Sequence, residues 1–167
     1  MIVAEELDVD WNDVLVEQAP LSKDFDRQVA GGSQSIRQSW KALRTAGATA
    51  RHMLISAASK QWQVNIADCN TSMGVITNLS GDKISYGDIA AMAAKETVPE
   101  EVELKNPGDF KIIGNGKGNV DIEPIITGKP LFGRDYREEG MKYAVVLRPP
   151  AFGKKLISYS DSETKKV

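Results

Sequence analysis

The chain has 167 residues, of which 41% are hydrophobic and 26% are charged, and its formal net charge is -2. This length and composition are typical of a soluble globular protein with one ordinary domain or two small ones. The charge balance provides no basic surface for nucleic acid and no polybasic patch for a membrane, and no apolar run is long enough to span a bilayer. Because the N-terminus is acidic where a signal peptide would be basic, we expect a cytoplasmic location.

Cysteine and histidine are too scarce for a metal site made by protein side chains alone. Cys69 is the single cysteine, which excludes an internal disulfide, and His52 is the single histidine. We expect Cys69 to be a small buried residue and His52 to be a packing or surface residue of a helix. We therefore predict no metal ligand in this chain, and any metal would arrive within a cofactor or on a partner.

The N-terminal region predicts little regular structure. Residues 1–7 are apolar with a polar flank, which is typical of the last two turns of a helix. Residues 13–17 are apolar and β-branched, and they predict a short strand. Residues 19–28 are polar and predict a loop that leads to a pair of glycines.

A long amphipathic helix over residues 36–62 is the strongest structural signal. Apolar and small residues recur there every three or four positions, at Ile36, Trp40, Leu43, Gly47, Ala50, Leu54 and Ala57. Ser35 followed three residues later by Gln38 predicts a capping box at the start of this helix. The run of small residues over 45–50 predicts that another backbone packs closely against it.

The segment just before this helix is the candidate functional site. Gly31 and Gly32 allow a ligand to approach the backbone, and the free amides and positive dipole end of the helix favour an oxyanion. Arg37 adds a positive charge in the first turn. The spacing matches neither G-x-x-x-x-G-K-[ST] nor G-x-G-x-x-G, so spacing alone does not identify the anion. A simple turn before a capped helix is the alternative.

Residues 65–94 predict a series of short elements. Asn65, with an aspartate three residues later, predicts a capped turn. Residues 74–78 and 83–85 flank turn-forming residues and predict a β-hairpin. Ser85 predicts the N-cap of a helix over 89–94, whose alanines favour helical structure.

The rest of the chain predicts a connection followed by strands. Residues 95–107 are rich in Glu, Pro and Lys, which is typical of a linker or of a segment that lies along the surface. The glycine-rich segment 114–118 is not followed by a capped helix, so it predicts a flexible turn. Glycine and proline separate four apolar runs that predict strands, at 125–128, 131–133, 141–147 and 156–159. Both faces of 141–147 are apolar, so we expect that strand to be central in a sheet.

Five short motifs occur in order along the chain. They are Ile-Val-Ala-Glu-Glu-Leu at 2–7, Val-Glu-Gln-Ala-Pro at 16–20, Ala-Gly-Gly-Ser-Gln-Ser-Ile-Arg at 30–37, Ala-Gly-Ala-Thr-Ala-Arg at 46–51 and Gly-Met-Lys-Tyr-Ala-Val-Val-Leu-Arg-Pro-Pro at 140–150. Together they resemble the large molybdenum-cofactor-binding subunit of the xanthine oxidase superfamily, of the isoquinoline oxidoreductase and aldehyde oxidase type. The resemblance runs from Met1 to about Tyr159.

The resemblance implies an α+β fold in two unequal parts. Residues 1–100 would form a partial molybdopterin-binding domain around the long helix, 101–124 a linker, and 125–167 the truncated start of an aldehyde oxidase-type hammerhead domain. It also implies that the glycine turn approaches molybdopterin in its cytosine dinucleotide form. The cofactor-binding residues that it predicts are Gly31, Gly32, Ser33, Gln34, Ser35 and Arg37.

The chemistry that the resemblance implies is hydroxylation of an aldehyde or an N-heterocycle, with water as the oxygen source. Electrons would leave through iron-sulfur clusters on a small partner subunit. The family's Gly-Gln-Gly loop and its catalytic glutamate have no counterpart here, so we predict no catalytic residue and expect an internal or truncated fragment that is inactive alone. The alternative is a non-catalytic interaction module that pairs with the remainder of the large subunit, with other subunits or with a second copy of itself.

Overall fold

The computed structural model describes residues 1–25 and 28–166. Positions 26 and 27 of the predicted loop 19–28, and position 167, lie outside the described residues. The chain divides into two compact units, Met1–Gly118 and Asn119–Val167. The first unit combines helices with a small antiparallel sheet, which confirms the predicted α+β class.

Two helices pack together at the N-terminal side of the first unit. Helix α1 spans Ile2–Leu7 and helix α2 spans Ser35–Trp62, so both predicted helices are confirmed. A Cβ atom added to Gly47 would lie 2.6 Å from the carbonyl oxygen of Val3, which confirms that a second backbone approaches the small residues of α2. Within the described ranges, no helix is both long enough and apolar enough to cross a membrane.

A three-stranded antiparallel sheet and a third helix follow α2. Strands β1 (Cys69–Ser72), β2 (Val75–Asn78) and β3 (Lys83–Ser85) lie in that order, and helix α3 covers Tyr86–Ala93. The predicted hairpin is β2–β3, and the predicted cap is also confirmed, because the amide of Asp88 donates to the hydroxyl of Ser85 at 3.2 Å. Strand β1 has no apolar alternation, and we did not predict it.

The core lies where α2 and α3 meet the sheet. Its buried members are Leu54, Ala57, Ala58, Cys69, Ile76, Ile89 and Ala93. Cys69 is therefore a small buried residue, as expected, and burial raises the pKa of its thiol, with Asp68 adding to the effect. His52 is a surface residue of α2. The core fixes α2 as the element against which the rest of the unit packs.

The predicted strand at 13–17 is wrong. A 3-10 helix occupies Trp11–Asp13 instead, because the side chain of Asp10 accepts a hydrogen bond from the amide of Asn12 at 2.9 Å. The residues that follow are extended but pair with no strand among those described, and Leu15 is 82% exposed. A β-branched run without a partner cannot form the ladder that defines a strand.

The four strands predicted beyond residue 124 are also wrong. Helix α4 covers Ile122–Ile126, and Gly128, with a φ of 72°, follows its end in the left-handed conformation. A 3-10 helix forms at Gly133–Asp135, and the predicted central strand 141–147 is irregular, with Leu147 94% exposed. In the described part of the second unit these apolar runs have no neighbouring strand, so their backbone groups have no ladder to join.

Candidate functional site

The glycine turn lies immediately before α2 and reverses the chain into it. Gly32 and Ser33 both adopt left-handed conformations, with φ values of 61° and 52°. Gln34 then takes the N-cap position, and its amide donates to the carbonyl of Gly31 at 3.4 Å. Glycine adopts positive φ without strain, which explains the residue type at position 32.

The predicted capping box is wrong, and the correction bears on the site. Ser35 is the first helical residue, and no side chain caps the helix start. Gln38 donates to the side chain of Gln34 instead of reaching back to a backbone amide, and the hydroxyl of Ser39 donates to the carbonyl of Ser35 at 2.6 Å. The first-turn amides of a helix have no partner within the helix, so here they remain available to a ligand.

A cleft of about 840 Å³ opens beside this turn. One wall comes from residues 18–29 and the other from residues 31–39, and its lining is rich in amides and hydroxyls. The lining residues are Gln18, Ala19, Asp24, Phe25, Gln28, Val29, Gly31, Gly32, Gln34, Ser35, Gln38 and Ser39. Asp24 is the single carboxylate among these described residues. Such a cleft offers many neutral donors and acceptors next to a helix N-terminus.

The structure brings four of the six predicted site residues to this cleft. Gly31, Gly32, Gln34 and Ser35 line it, whereas Ser33 and Arg37 do not, and Arg37 is exposed. The sequence did not indicate the opposite wall at 18–29, because its glutamines lie in a polar loop without a recognisable spacing.

A second polar cluster lies on α1. The carboxylate of Glu5 is buried and accepts from three consecutive backbone amides, of Lys111 at 3.0 Å, Ile112 at 2.6 Å and Ile113 at 2.8 Å. Burial alone would raise the pKa of Glu5, but the three amides together with the nearby Lys105 hold it below its ordinary value.

Glu6 and Asp8 extend this cluster. Asp8 accepts from the ammonium groups of Lys105 at 2.8 Å and Lys111 at 3.1 Å, and from the hydroxyl of Thr71 at 2.9 Å. Burial would raise the pKa of Asp8, but these hydrogen bonds lower it. Glu6 pairs with Arg44 of α2 at 2.6 Å. These carboxylates are satisfied by the protein itself, so they serve structure and not ligand binding.

Arg44 connects this cluster to the surroundings of α2. Its guanidinium lies 5.4 Å from the ring centre of Trp40 and 5.2 Å from that of Phe110, and it also donates to the carbonyl of Lys105. Within the parts that the structure describes, no three His, Cys, Asp or Glu side chains are grouped so that they could hold a metal ion.

Comparison with known families decides what this arrangement belongs to. Residues 1–125 match the family described as "Molybdopterin cofactor-binding domain". The chain belongs to this family. The molybdopterin-binding domain thus covers α1, α2, the sheet and α3, and it includes both walls of the cleft. The resemblance to the xanthine oxidase superfamily is confirmed.

Three curated relatives align over most of the chain. A membrane-bound aldehyde dehydrogenase [pyrroloquinoline-quinone] of Gluconacetobacter polyoxogenes is 30% identical over 99% of this chain and 22% of its own length. The beta subunit of isoquinoline 1-oxidoreductase of Brevundimonas diminuta is 29% identical over 90% of this chain and 25% of its own. The second lettered subunit of nicotinate dehydrogenase of Pseudomonas putida is 26% identical over 91% and 13%. The chain spans a quarter or less of each relative.

The residues at the cleft fit a molybdopterin dinucleotide. The volume of about 840 Å³ lies within the range of small-molecule and cofactor sites, which is roughly 300–1,000 Å³. The uncapped amides at the start of α2 suit a pyrophosphate, and Gly31 leaves the backbone open to it. Side-chain amides such as those of Gln34 and Gln38 match the alternating donors and acceptors of a heteroaromatic ring.

Proposed function

We propose that this chain forms part of the cofactor site of a molybdenum hydroxylase, which oxidises an aldehyde or an N-heterocycle with water as the oxygen source. The observation that carries the proposal is the cleft at the uncapped start of α2, within the molybdopterin-binding domain. The names of the relatives support the substrate class, since they include an aldehyde dehydrogenase and an oxidoreductase of isoquinoline.

The chain's own residues bind and orient the cofactor. The amides of Ser35 and of the next residues donate to the pyrophosphate, Gly31 and Gly32 leave room for it, and the side chains of Gln34 and Gln38 face the heteroaromatic part. Ser33 and Arg37 lie beside the turn, where Arg37 adds positive charge. When bound, the cofactor supplies the two-electron oxidation of the substrate carbon. We assign no catalytic residue to this chain.

The form of the cofactor and the partners follow from the same proposal. We propose the cytosine dinucleotide form of molybdopterin and a small iron-sulfur subunit that receives the electrons. Two of the relatives are named as single subunits of larger enzymes, which supports an enzyme of several subunits. We further propose that residues 1–100 are cofactor-binding, that 101–124 is a linker and that 125–167 begins a hammerhead domain, on the support of the motif at 140–150.

Replacing Gly31 tests the cofactor site. Its Cβ would meet only Val29, at 3.9 Å, so Gly31→Val should leave the fold intact while it blocks the backbone. Gly32 is less suitable because its φ of 61° would strain any side chain. In the full polypeptide that carries this sequence, with its partner subunits, we expect molybdenum and pterin content to fall at least tenfold, without a change in melting temperature.

The matched control is Gly116→Val, because a Cβ at Gly116 would meet nothing within 4 Å and Gly116 does not line the cleft. Molybdenum is measured by inductively coupled plasma mass spectrometry, and the pterin by the fluorescence of its oxidised form. Full cofactor content in Gly31→Val would overturn the site. A quinone in place of molybdenum, as the name of the first relative describes for that protein, would overturn the cofactor.

A non-catalytic interaction module is the second candidate. The observation that favours it is the exposure of large apolar side chains in the second unit, where Val145 is 89% and Ile157 is 98% exposed. Exposed apolar surface of this kind commonly marks an interface. Sedimentation that detects association of a cofactor-free protein, and loss of that association in Val145→Asp, would support this candidate.

A further inference from the structure

The side chain of Gln28 ties together the wall of the cleft that lies opposite the glycine turn. Its Nε2 donates to the carbonyls of Pro20 at 2.9 Å and Phe25 at 2.8 Å. Its Oε1 accepts from Nε2 of Gln18 at 3.0 Å. Both hydrogens of the Gln28 amide and its oxygen are therefore used within one short segment.

Little else holds this wall among the residues that the structure describes. The backbone contributes one turn, in which the amide of Phe25 donates to the carbonyl of Ser22 at 3.2 Å. Apolar packing is weak there, because Leu21 is 88% and Val29 is 84% exposed. Hydrogen bonds from one side chain to two carbonyls and to a second side chain thus determine the path of the segment.

We propose that Gln28 is a positioning residue for the cofactor cleft, a role that rests on the proposed function. Gln18 and Phe25, which Gln28 holds, line the cleft across from Gly31 and Ser35. With Gln28 in place, the cofactor meets a wall that is already ordered, and less conformational entropy is lost on binding. Without it, the residues of this wall must be ordered at the moment of binding.

The experiment compares Gln28 variants in the full polypeptide with its partner subunits. Gln28→Ala should speed the release of molybdenum cofactor during dialysis by roughly tenfold, which corresponds to the loss of one to two net hydrogen bonds. Hydrogen exchange at amides 19–25 should become faster in the cofactor-free protein. The melting temperature should stay unchanged, because Gln28 is outside the core.

Three further variants sharpen the test. Gln28→Glu keeps an acceptor for Gln18 but turns a carboxylate oxygen towards two carbonyls, so it should release cofactor at least as fast as Gln28→Ala. Gln18→Ala removes one of the three bonds and should be intermediate. Gln61→Ala is the control, because Gln61 is exposed near the far end of α2 and away from the cleft.

The outcomes separate this proposal from the proposed function. Wild-type release from Gln28→Ala, together with loss of cofactor from Gly31→Val, would overturn the role of Gln28 and leave the proposed function intact. Faster release without faster exchange at 19–25 would also overturn it, since the effect would then be direct contact and not positioning. A wild-type protein that retains no molybdenum cofactor would overturn both.

Discussion

At the scale of single residues, the absence of a side chain at Gly47 decides where α1 crosses α2. A Cβ there would lie 2.6 Å from the carbonyl of Val3 and 2.8 Å from Cβ of Glu6. Glycine inside a helix costs about 1 kcal/mol relative to alanine, so its presence is locally unfavourable. The close approach that it permits brings the carboxylate of Glu6 within 2.6 Å of Arg44.

We expect Gly47→Ala to lower the free energy of unfolding by about 1–3 kcal/mol, because the added methyl group forces α1 away from α2. Helix propensity alone predicts the opposite sign. The control is Ala46→Gly on the exposed face, which should cost about 1 kcal/mol through propensity only. Urea unfolding followed by circular dichroism measures both, and a Gly47→Ala protein that is more stable than the wild type would contradict the packing.

At the scale of elements, an irregular segment is held as firmly as a helix. Residues 105–113, which we call the strap, have one 3-10 turn at Pro107–Asp109 and otherwise no regular structure. Their amides and lysines bind the three carboxylates of α1, and Ile112 is buried. The predicted linker 101–124 therefore contains a segment that packs against the cofactor domain.

The strap should loosen in acid. The pKa values of Glu5 and Asp8 lie below their ordinary values of 4.5 and 3.8, so the folded state binds protons less readily than the unfolded state. Their stabilisation is complete above these values and is lost as pH falls through them towards the lowered pKa values. We expect the free energy of unfolding and the protection factors of amides 111–113 to fall together below about pH 4.5.

Charge removal at Glu5 checks this account. Glu5→Gln keeps the shape but replaces one acceptor oxygen with a donor that faces backbone amides, which should cost about 1–3 kcal/mol. The variant should also lose part of the pH dependence. Glu17→Gln at an exposed position is the matched control. An unchanged pH profile in Glu5→Gln would show that another group controls the acid transition.

At the scale of the whole molecule, structural order is concentrated in the first unit. Helices α1–α3, all three strands, the buried core and the strap lie within Met1–Gly118. In the described part of the second unit, α4 and short 3-10 turns are the regular elements. Most of the burial that stabilises this chain therefore belongs to residues 1–118.

We expect a polypeptide of residues 1–118 to fold alone, with a single cooperative transition and a melting temperature within a few degrees of that of the full chain. The physical reason is that every member of the core cluster is retained. Calorimetry measures the transition, and hydrogen exchange of the full chain should show protection confined to the first unit. A 1–118 polypeptide that aggregates or melts without cooperativity would contradict this division.

Local signals predicted the elements that depend on local chemistry. The three-to-four spacing of apolar residues predicted α2 to within one residue at its start, and the hydroxyl of Ser85 predicted the cap of α3. Turn residues between two apolar runs predicted β2–β3. The same level of information was sufficient for the family, because ordered motifs such as that at 30–37 are properties of the sequence itself.

By itself, then, the sequence determined the long helix, the glycine turn before it and the family to which the chain belongs. Tertiary structure alone decided which acidic residues of α1 bind the strap, and which loop faces the glycine turn across the cleft. It also decided that the apolar runs beyond residue 124 are not strands. The physical reason is that helix caps and turns are satisfied by neighbours in the chain, whereas strands, buried carboxylates and cleft walls need partners that are distant in sequence.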